Sequence, residues 1–325
     1  MIRRQRVSSV LIAVSLVIPL LISGCSADNA SENHSPPPSS SEKQPTEVLT
    51  DAGDQNTGFA PSNDQKLAPT DDAMGETPIQ KLRIGIFFDR PGVGLMGADG
   101  RPSGFDVDVA AYIAWKLGYA PSEIEWVRTD PKNRVPYITE NKVDFIVATV
   151  AISDKLRESM DFAGPYIVSG EDLLVRADDV TITGLATFPG HTICTMENSN
   201  ALLRLTETFG DQLNIVTMDS YLKCADATIT GVVDAVAAPD ITLAGLAAAD
   251  QYFGKLRLLK SHYHIERLGI AIPKGKQELC EAINSGLDDM MADGSWQRFV
   301  NRHTAGTGYR PAEYEYPPVL DTCNG

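Results

Sequence analysis

Cysteine, tryptophan and histidine are all scarce in this chain: 5, 3 and 5 of 325 residues. No two cysteines are spaced C-x-x-C, which argues against a structural zinc site. The chain also lacks H-E-x-x-H, a G-x-S-x-G turn and a phosphate-binding loop, so the common signatures of zinc hydrolases, serine hydrolases and nucleotide-binding enzymes are missing. Positive charge is short as well. There are 28 basic and 43 acidic residues, a formal net charge of −15. Setting aside Arg3, Arg4 and Arg6 at the start leaves 25 basic residues against 43 acidic ones, a net −18. That balance argues against nucleic acid as a partner, because phosphate recognition needs basic patches. No internal repeat is visible.

What is present is enough for two compact domains and a tail. Hydrophobic residues make up 43% and charged residues 22%, ordinary for a globular protein. Residues 1–25 read as a signal peptide: a basic start, an apolar run from Val7 to Ile22, then Ser23-Gly24-Cys25. The string Leu21-Ile22-Ser23-Gly24-Cys25 resembles a bacterial lipobox, which implies acylation of Cys25. The expected location is the extracytoplasmic face of the cell membrane, held there by lipid without a spanning helix. Residues 26–80 are rich in Ser, Pro, Asn, Asp and Thr and read as a disordered tether. A flexible chain of about 55 residues would reach roughly 40 Å. Four cysteines follow, Cys194, Cys224, Cys280 and Cys323; an exported compartment permits disulfides, and four cysteines allow three pairings.

From Lys81 the apolar pattern alternates between strand and helix periods, as in a sheet covered by helices. Leu82–Phe88 reads as a strand. Asp106–Leu117 reads as a helix, with apolar residues at Phe105, Val109, Ile113 and Leu117 and acids Asp106 and Asp108 where the helix dipole favours them. Val143–Thr149 is nearly all apolar, as a strand buried on both faces would be. Later strands are expected at 192–195, 214–218, 232–237, 255–259 and 268–272. Helices are expected at 199–208, 220–230, 242–249, 276–291 and 295–302, with Asp219 as an N-cap.

Several segments, in order, resemble one family. They are GFDVDVA at 104–110, VDF at 143–145, ISDK at 152–155, MDFAGPY at 160–166, VDAVAAPDITLAG at 233–245 and GSWQRF at 294–299. Together with the opening IGIFFDRPGVGL they resemble the solute-binding proteins, family 3, that feed amino acids to ABC importers. Glutamate- and glutamine-binding lipoproteins of actinobacteria are the nearest in kind. The resemblance implies an α/β, two-lobed periplasmic-binding-protein fold of type II, with two hinge strands and a ligand cleft between the lobes. Lobe one would hold 81–165 and 268–303, lobe two 171–262, with an extended tail at 304–325. It further implies a monomer that closes over a small-molecule ligand and docks on a membrane permease, with no cofactor. It implies a Cys194–Cys224 disulfide, which leaves Cys280–Cys323 to pin the tail.

In this family an Arg on lobe one takes the ligand carboxylate and an Asp on lobe two takes the ammonium. Carried over by position, the Arg falls on Leu156 and the Asp on Pro239, while the first Thr of the preceding turn becomes Ala151. Arg157 and Asp240 stand one place later. Ser153, and Ser199 with Asn200 at a helix start, offer hydroxyl and backbone donors. Arg134 matches an Arg of glutamate-binding relatives; Phe88, Arg90 and Thr149 end strands where the cleft wall is expected. Three readings are open. Arg157 and Asp240 replace their neighbours and an amino acid binds; or the ligand has changed to a related small molecule; or small-molecule binding is weakened and the chain serves as a sensor or docking lipoprotein. An enzyme is not expected. A dehydratase on this fold would need a cleft acid, for which Glu197 is the candidate. His262 and His264 flank Tyr263 near the second hinge without a nearby cysteine or third ligand, so no metal is expected.

Overall fold

The computed structural model describes residues 81–311 and 317–323, all within one unit that spans residues 59–325. The lipobox with Cys25 and the tether lie outside the described residues.

Strand β1 (Leu82–Ile86) enters the core, and the chain then forms a small antiparallel sheet of β2 (Asp89–Arg90), β3 (Gly94–Met96) and β4 (Pro102–Ser103). Helix α1 (Phe105–Lys116) follows at once. Its N-cap, Gly104, has φ 137°, and a Cβ there would run into the Val93 carbonyl, so the GF step needs glycine. Then come β5 (Ile124–Arg128), α2 (Arg134–Thr139), β6 (Phe145–Ala151), α3 (Asp154–Arg157) and the sixteen-residue β7 (Asp161–Arg176). The next block is β8 (Thr192–Met196), α4 (Asn200–Phe209), β9 (Asn214–Met218), α5 (Tyr221–Ile229), β10 (Ala235–Pro239), α6 (Asp240–Ala248) and β11 (Leu256–Leu258). β12 (His264–Ile272), α7 (Gln277–Ala292) and α8 (Ser295–His303) complete the regular elements.

One sheet runs in the order β5-β1-β6-β12-β7-β10-β8-β9, with β11 also on β7. β5, β1 and β6 are parallel at one end, and β10, β8 and β9 are parallel at the other. β7 and β12 form the antiparallel centre and belong to both halves. Asp161–Ile167 of β7 pairs with β12 beside β6, and Glu171–Val175 pairs with β10. This is the two-lobed α/β architecture joined by two strands. The inner parallel strands β1, β6, β8 and β10 are almost wholly buried, which explains their apolar runs, while β5 and β9 at the sheet edges are partly exposed; every residue of β6 is buried. Separate core clusters form around Phe105, Ile113 and Trp296 in one half and around Cys194, Tyr221 and Val236 in the other. The halves touch where Gly92, at φ 72°, packs its backbone against Gly245 of α6.

One expectation shifts. The N-cap of α5 is Ser220, whose hydroxyl accepts from Lys223 N at 3.3 Å, because the helix starts one residue beyond Asp219. The stretch between the expected lobe two and the second part of lobe one, 263–267, lies almost wholly inside β12, where it pairs with β7. Both disulfides form. Cys194–Cys224 ties β8 to α5, and Cys280–Cys323 ties α7 to the tail. The tail touches both halves: Lys260 Nζ donates to Gly308 O (2.8 Å), and Asp321 N donates to Gly164 O (2.7 Å).

Candidate functional site

The cavity between the halves is lined from one side by Phe87, Arg90, Arg134 and Thr149, and from the other by Glu171, Ser199, Asn200, Tyr221 and Pro239. It measures ≈ 30 Å³. That is room for a water or two and not for an amino acid, so a ligand enters only if the halves separate.

Arg90 ends β2 and is buried. Its guanidinium lies 3.2 Å from the Phe87 ring centroid and 5.0 Å from that of Tyr221, stacked by cation–π attraction. Its hydrogen-bond partners are weak acceptors: Thr149 Oγ1 and Met196 Sδ, both at 3.3 Å. Nε has no partner, and no carboxylate pairs with the group among the described residues. Burial pulls its pKa below the usual arginine value. Arg134, at the start of α2, also buries Nε without a partner; burial first, and Arg90 second, lower its pKa to about 10. Two desolvated cations face one small space, an arrangement that calls for an anion.

The chain beneath Arg90 is fixed by a relay of buried groups. Tyr166 Oη donates to Asp106 Oδ1 (2.8 Å) and accepts from Thr149 N (3.0 Å). Thr149 sits at φ 42°, a rare conformation for a β-branched residue, and this bond holds it there. Burial raises the Asp106 pKa to about 7, against the pull of Tyr166 and Arg90. The GFDVDVA and MDFAGPY segments thus meet directly behind the cleft wall.

Across the cavity, Ser199 caps α4 by accepting from Leu202 N (3.2 Å), and Asn200 opens the helix. Its N-terminal N–H groups favour an anion. Glu171 of β7 is fully buried, and neither carboxyl oxygen has a hydrogen-bond partner among the described residues. Burial, then Glu266 and Asp240, push its pKa well above the usual carboxylate range.

Of the residues singled out in the sequence, Arg90, Arg134, Thr149, Ser199 and Asn200 are brought together here. Five are not. Phe88 packs against the core of the first half while Phe87 faces the cavity, because neighbours on an extended chain point opposite ways. Ala151 is inside that core. The Ser153 hydroxyl is used up as the N-cap of α3. Arg157 faces the tail, 3.6 Å from Asp321, with its guanidinium near the Phe162 ring. Asp240 opens α6 but is turned to the hinge. There it accepts from Ser169 Oγ (2.5 Å) and Tyr309 Oη (3.2 Å) and lies 3.1 Å from His262 Nε2. Ser169 and His262 both bind the acid and not each other, so this is no nucleophilic triad. Glu197 is half exposed beside Lys132 at 3.4 Å, away from the cavity. His264 lies near Glu266, and no group of metal ligands occurs among the described residues. No helix among them is long and apolar enough to cross a membrane.

Residues 82–306 match the family model for bacterial extracellular solute-binding proteins, family 3. The chain belongs to this family. It is 35% identical over 233 residues to the glutamate-binding protein GluB of Corynebacterium efficiens, covering 68% of this chain and 78% of that one. GluB of Corynebacterium glutamicum is 33% identical with the same coverage. Among solved structures, an ancestral arginine-binding protein bound to arginine superposes with a TM-score of 0.61 at 24% identity, over 70% of this chain and 99% of that one; this shows the shared fold.

Glu171, Asp106 and Tyr221 were not picked out from the sequence. Asp106 reads there as a helix-dipole acid. Glu171 did leave a signal: a charged residue inside the strand run Tyr166–Val175, where both faces are buried.

Proposed function

We propose that this protein is the solute-binding component of an ABC importer, that it takes an α-amino acid with an acidic side chain, and that it is held at the outer face of the membrane by lipid on Cys25. One observation carries the ligand class. Buried Arg90 and half-buried Arg134, each with an unpartnered Nε, line the same small cavity, opposite the N-terminus of α4. Three sites that favour anions suit a ligand with two carboxylates and disfavour a cationic or apolar side chain. The names of the corynebacterial relatives point the same way. Among the described residues no acid–base pair faces a common reacting position, which supports binding without catalysis.

Thermal-shift and calorimetric screening of the full chain against the twenty amino acids tests this. L-glutamate or L-aspartate is expected to raise the melting temperature most, by mass action on the native state. Preference for arginine, lysine or leucine would overturn the ligand class. The small cavity favours a second reading, a lipid-anchored sensor whose cleft stays shut. It gains if no amino acid shifts the melting temperature at millimolar concentration. Triton X-114 partitioning of the wild type against Cys25→Ala, expressed in a bacterial host, tests the anchor; equal partitioning into the aqueous phase would remove it.

A further inference from the structure

We propose that Glu171 is the carboxylate that receives the ammonium group of the bound ligand. This rests on the amino-acid reading above.

The position singles it out. Glu171 is the acid lining the cavity, it is 0% exposed, and both of its oxygens lack hydrogen-bond partners among the described residues. A carboxyl taken out of water without a partner is strongly unfavourable, so a protein retains one only where something else supplies the partner. Among the described residues, no cation of the surrounding elements is free to do so. On β12, His264 is in register with Glu171, but its Nε2 points toward Glu266 at 3.6 Å. On α4, Arg204 is committed to Glu266 at 2.8 Å and Glu207 at 2.9 Å. On α6, Asp240 is a like charge already bound to Ser169 and Tyr309. Tyr221 is buried with its hydroxyl toward Ser199 and Thr195; Tyr263 is half-buried with its hydroxyl close to Glu171, a neutral neighbour that offers at most one donor and no positive charge. On β10 the residue in register is Pro239, with no N–H and no polar side chain to offer. The open side is the cavity.

The other charges there fix what the partner is. Arg90 and Arg134 are cations, and they stand on the opposite wall. A bound molecule must therefore present negative groups toward β2 and α2 and a positive group toward β7. A free α-amino acid has this polarity. Its ammonium would place N–H donors against a carboxyl that is otherwise alone, at the seam where β7 passes from one half to the other. Before binding, burial and the acids Glu266 and Asp240 favour the protonated carboxyl. On binding, the proton leaves for solvent as the ammonium takes its place, so charge balances in both states.

Isothermal titration of the full chain in detergent with L-glutamate and with glutarate, its analogue lacking the ammonium, tests this on the wild type and Glu171→Gln. The expected result is a roughly 100-fold or greater loss for L-glutamate with glutarate unchanged or tighter. Repeating the titration near pH 6 in buffers of different ionisation enthalpy should show proton release on glutamate binding by the wild type and none by the variant. Melting of the unliganded proteins checks that Glu171→Gln folds; its midpoint at pH 7 should equal or exceed that of the wild type. Parallel losses for both ligands, or no loss for glutamate, would overturn the role of Glu171 while leaving the ligand class standing. If the wild type binds no amino acid, the proposed function itself falls and this role with it.

Discussion

Two buried acids lie near the same crossing of strands and behave in opposite ways. Asp240 accepts from Ser169 and Tyr309 through Oδ1 and lies beside His262, while Glu171 has only the Tyr263 hydroxyl close by and no cation paired with it among the described residues. The arginines show the same division. Arg157 is matched with Asp321 on the tail, whereas Arg90 and Arg134 face the cavity with Nε unmatched. Charge engaged by neighbouring side chains marks the places where the protein holds itself together, and charge left on the cavity wall without a counter-charge marks the place where something else is held. Sequence position alone cannot make this distinction, since Arg157 and Asp240 are the residues that the motif count nominated.

The strongest way to break the contrast is Asp240→Ala. If Asp240 is a structural acid, removing it strands Ser169, Tyr309 and a partly buried His262, and unfolding stability should fall by about 3–5 kcal/mol. Affinity for L-glutamate, measured well below the melting temperature, should stay within about threefold. Denaturant unfolding and titration calorimetry read the two effects separately. Lost affinity with unchanged stability would make Asp240 a ligand anchor and reverse the comparison.

Arg90→Met is the mirror experiment. Methionine keeps the contacts with the Phe87 and Tyr221 rings and deletes the charge. Binding of L-glutamate should weaken by about 2–3 kcal/mol, roughly 30- to 150-fold, as expected for loss of a charge-assisted bond. The unliganded protein should be no less stable, because the lost partners are only a hydroxyl and a thioether. A large stability loss without an affinity change would place Arg90 among the structural charges.

The contrast also has a pH signature. Asp106 and Glu171 are both raised, Asp106 to about 7, so the native state keeps protons that the unfolded chain has released. Stability from these groups is greatest below the usual carboxylate pKa and falls as pH rises through their folded values. His262 is raised by Asp240, so its contribution also fades as pH climbs past its ordinary value. Asp179 and Asp293 are lowered, and their contribution disappears on the acid side. Stability should therefore peak in mildly acid solution and decline toward pH 7–8. Asp106→Asn should flatten that decline; an unchanged slope would mean that Asp106 stays ionised.

The fold was largely legible because its signals are repeated. Apolar strands buried on both faces, serines before helices and the two cysteine pairs all agree with one topology. Half of the candidate site was legible too, since Arg90, Arg134, Thr149, Ser199 and Asn200 end or begin elements at the cleft. The missed half depended on which way a side chain turns. Phe87 and Phe88 are adjacent and face opposite ways. Leu156 and Arg157 are adjacent, and only the fold shows that the arginine meets the tail. Glu171 is paired across a ladder with Pro239, 68 positions away in sequence, and a residue-by-residue count along one segment cannot register such a pairing.

The smallest effect is expected at Arg157, and it is decisive for the one-place replacement of Leu156. The side chain is about one-third exposed, as is Asp321, and the two are 3.6 Å apart. A pair so open to solvent contributes at most about 1 kcal/mol. Arg157→Ala should therefore lower stability by less than that and leave glutamate affinity unchanged, because the guanidinium lies beside Phe162 and the tail and does not line the cavity. The measurement matters because the halves must separate before a ligand can enter, and an opened cleft could expose a different wall. An affinity loss above about tenfold would mean that Arg157 leaves Asp321 to meet the ligand carboxylate, and that satisfied charge on this molecule does not always mark structure.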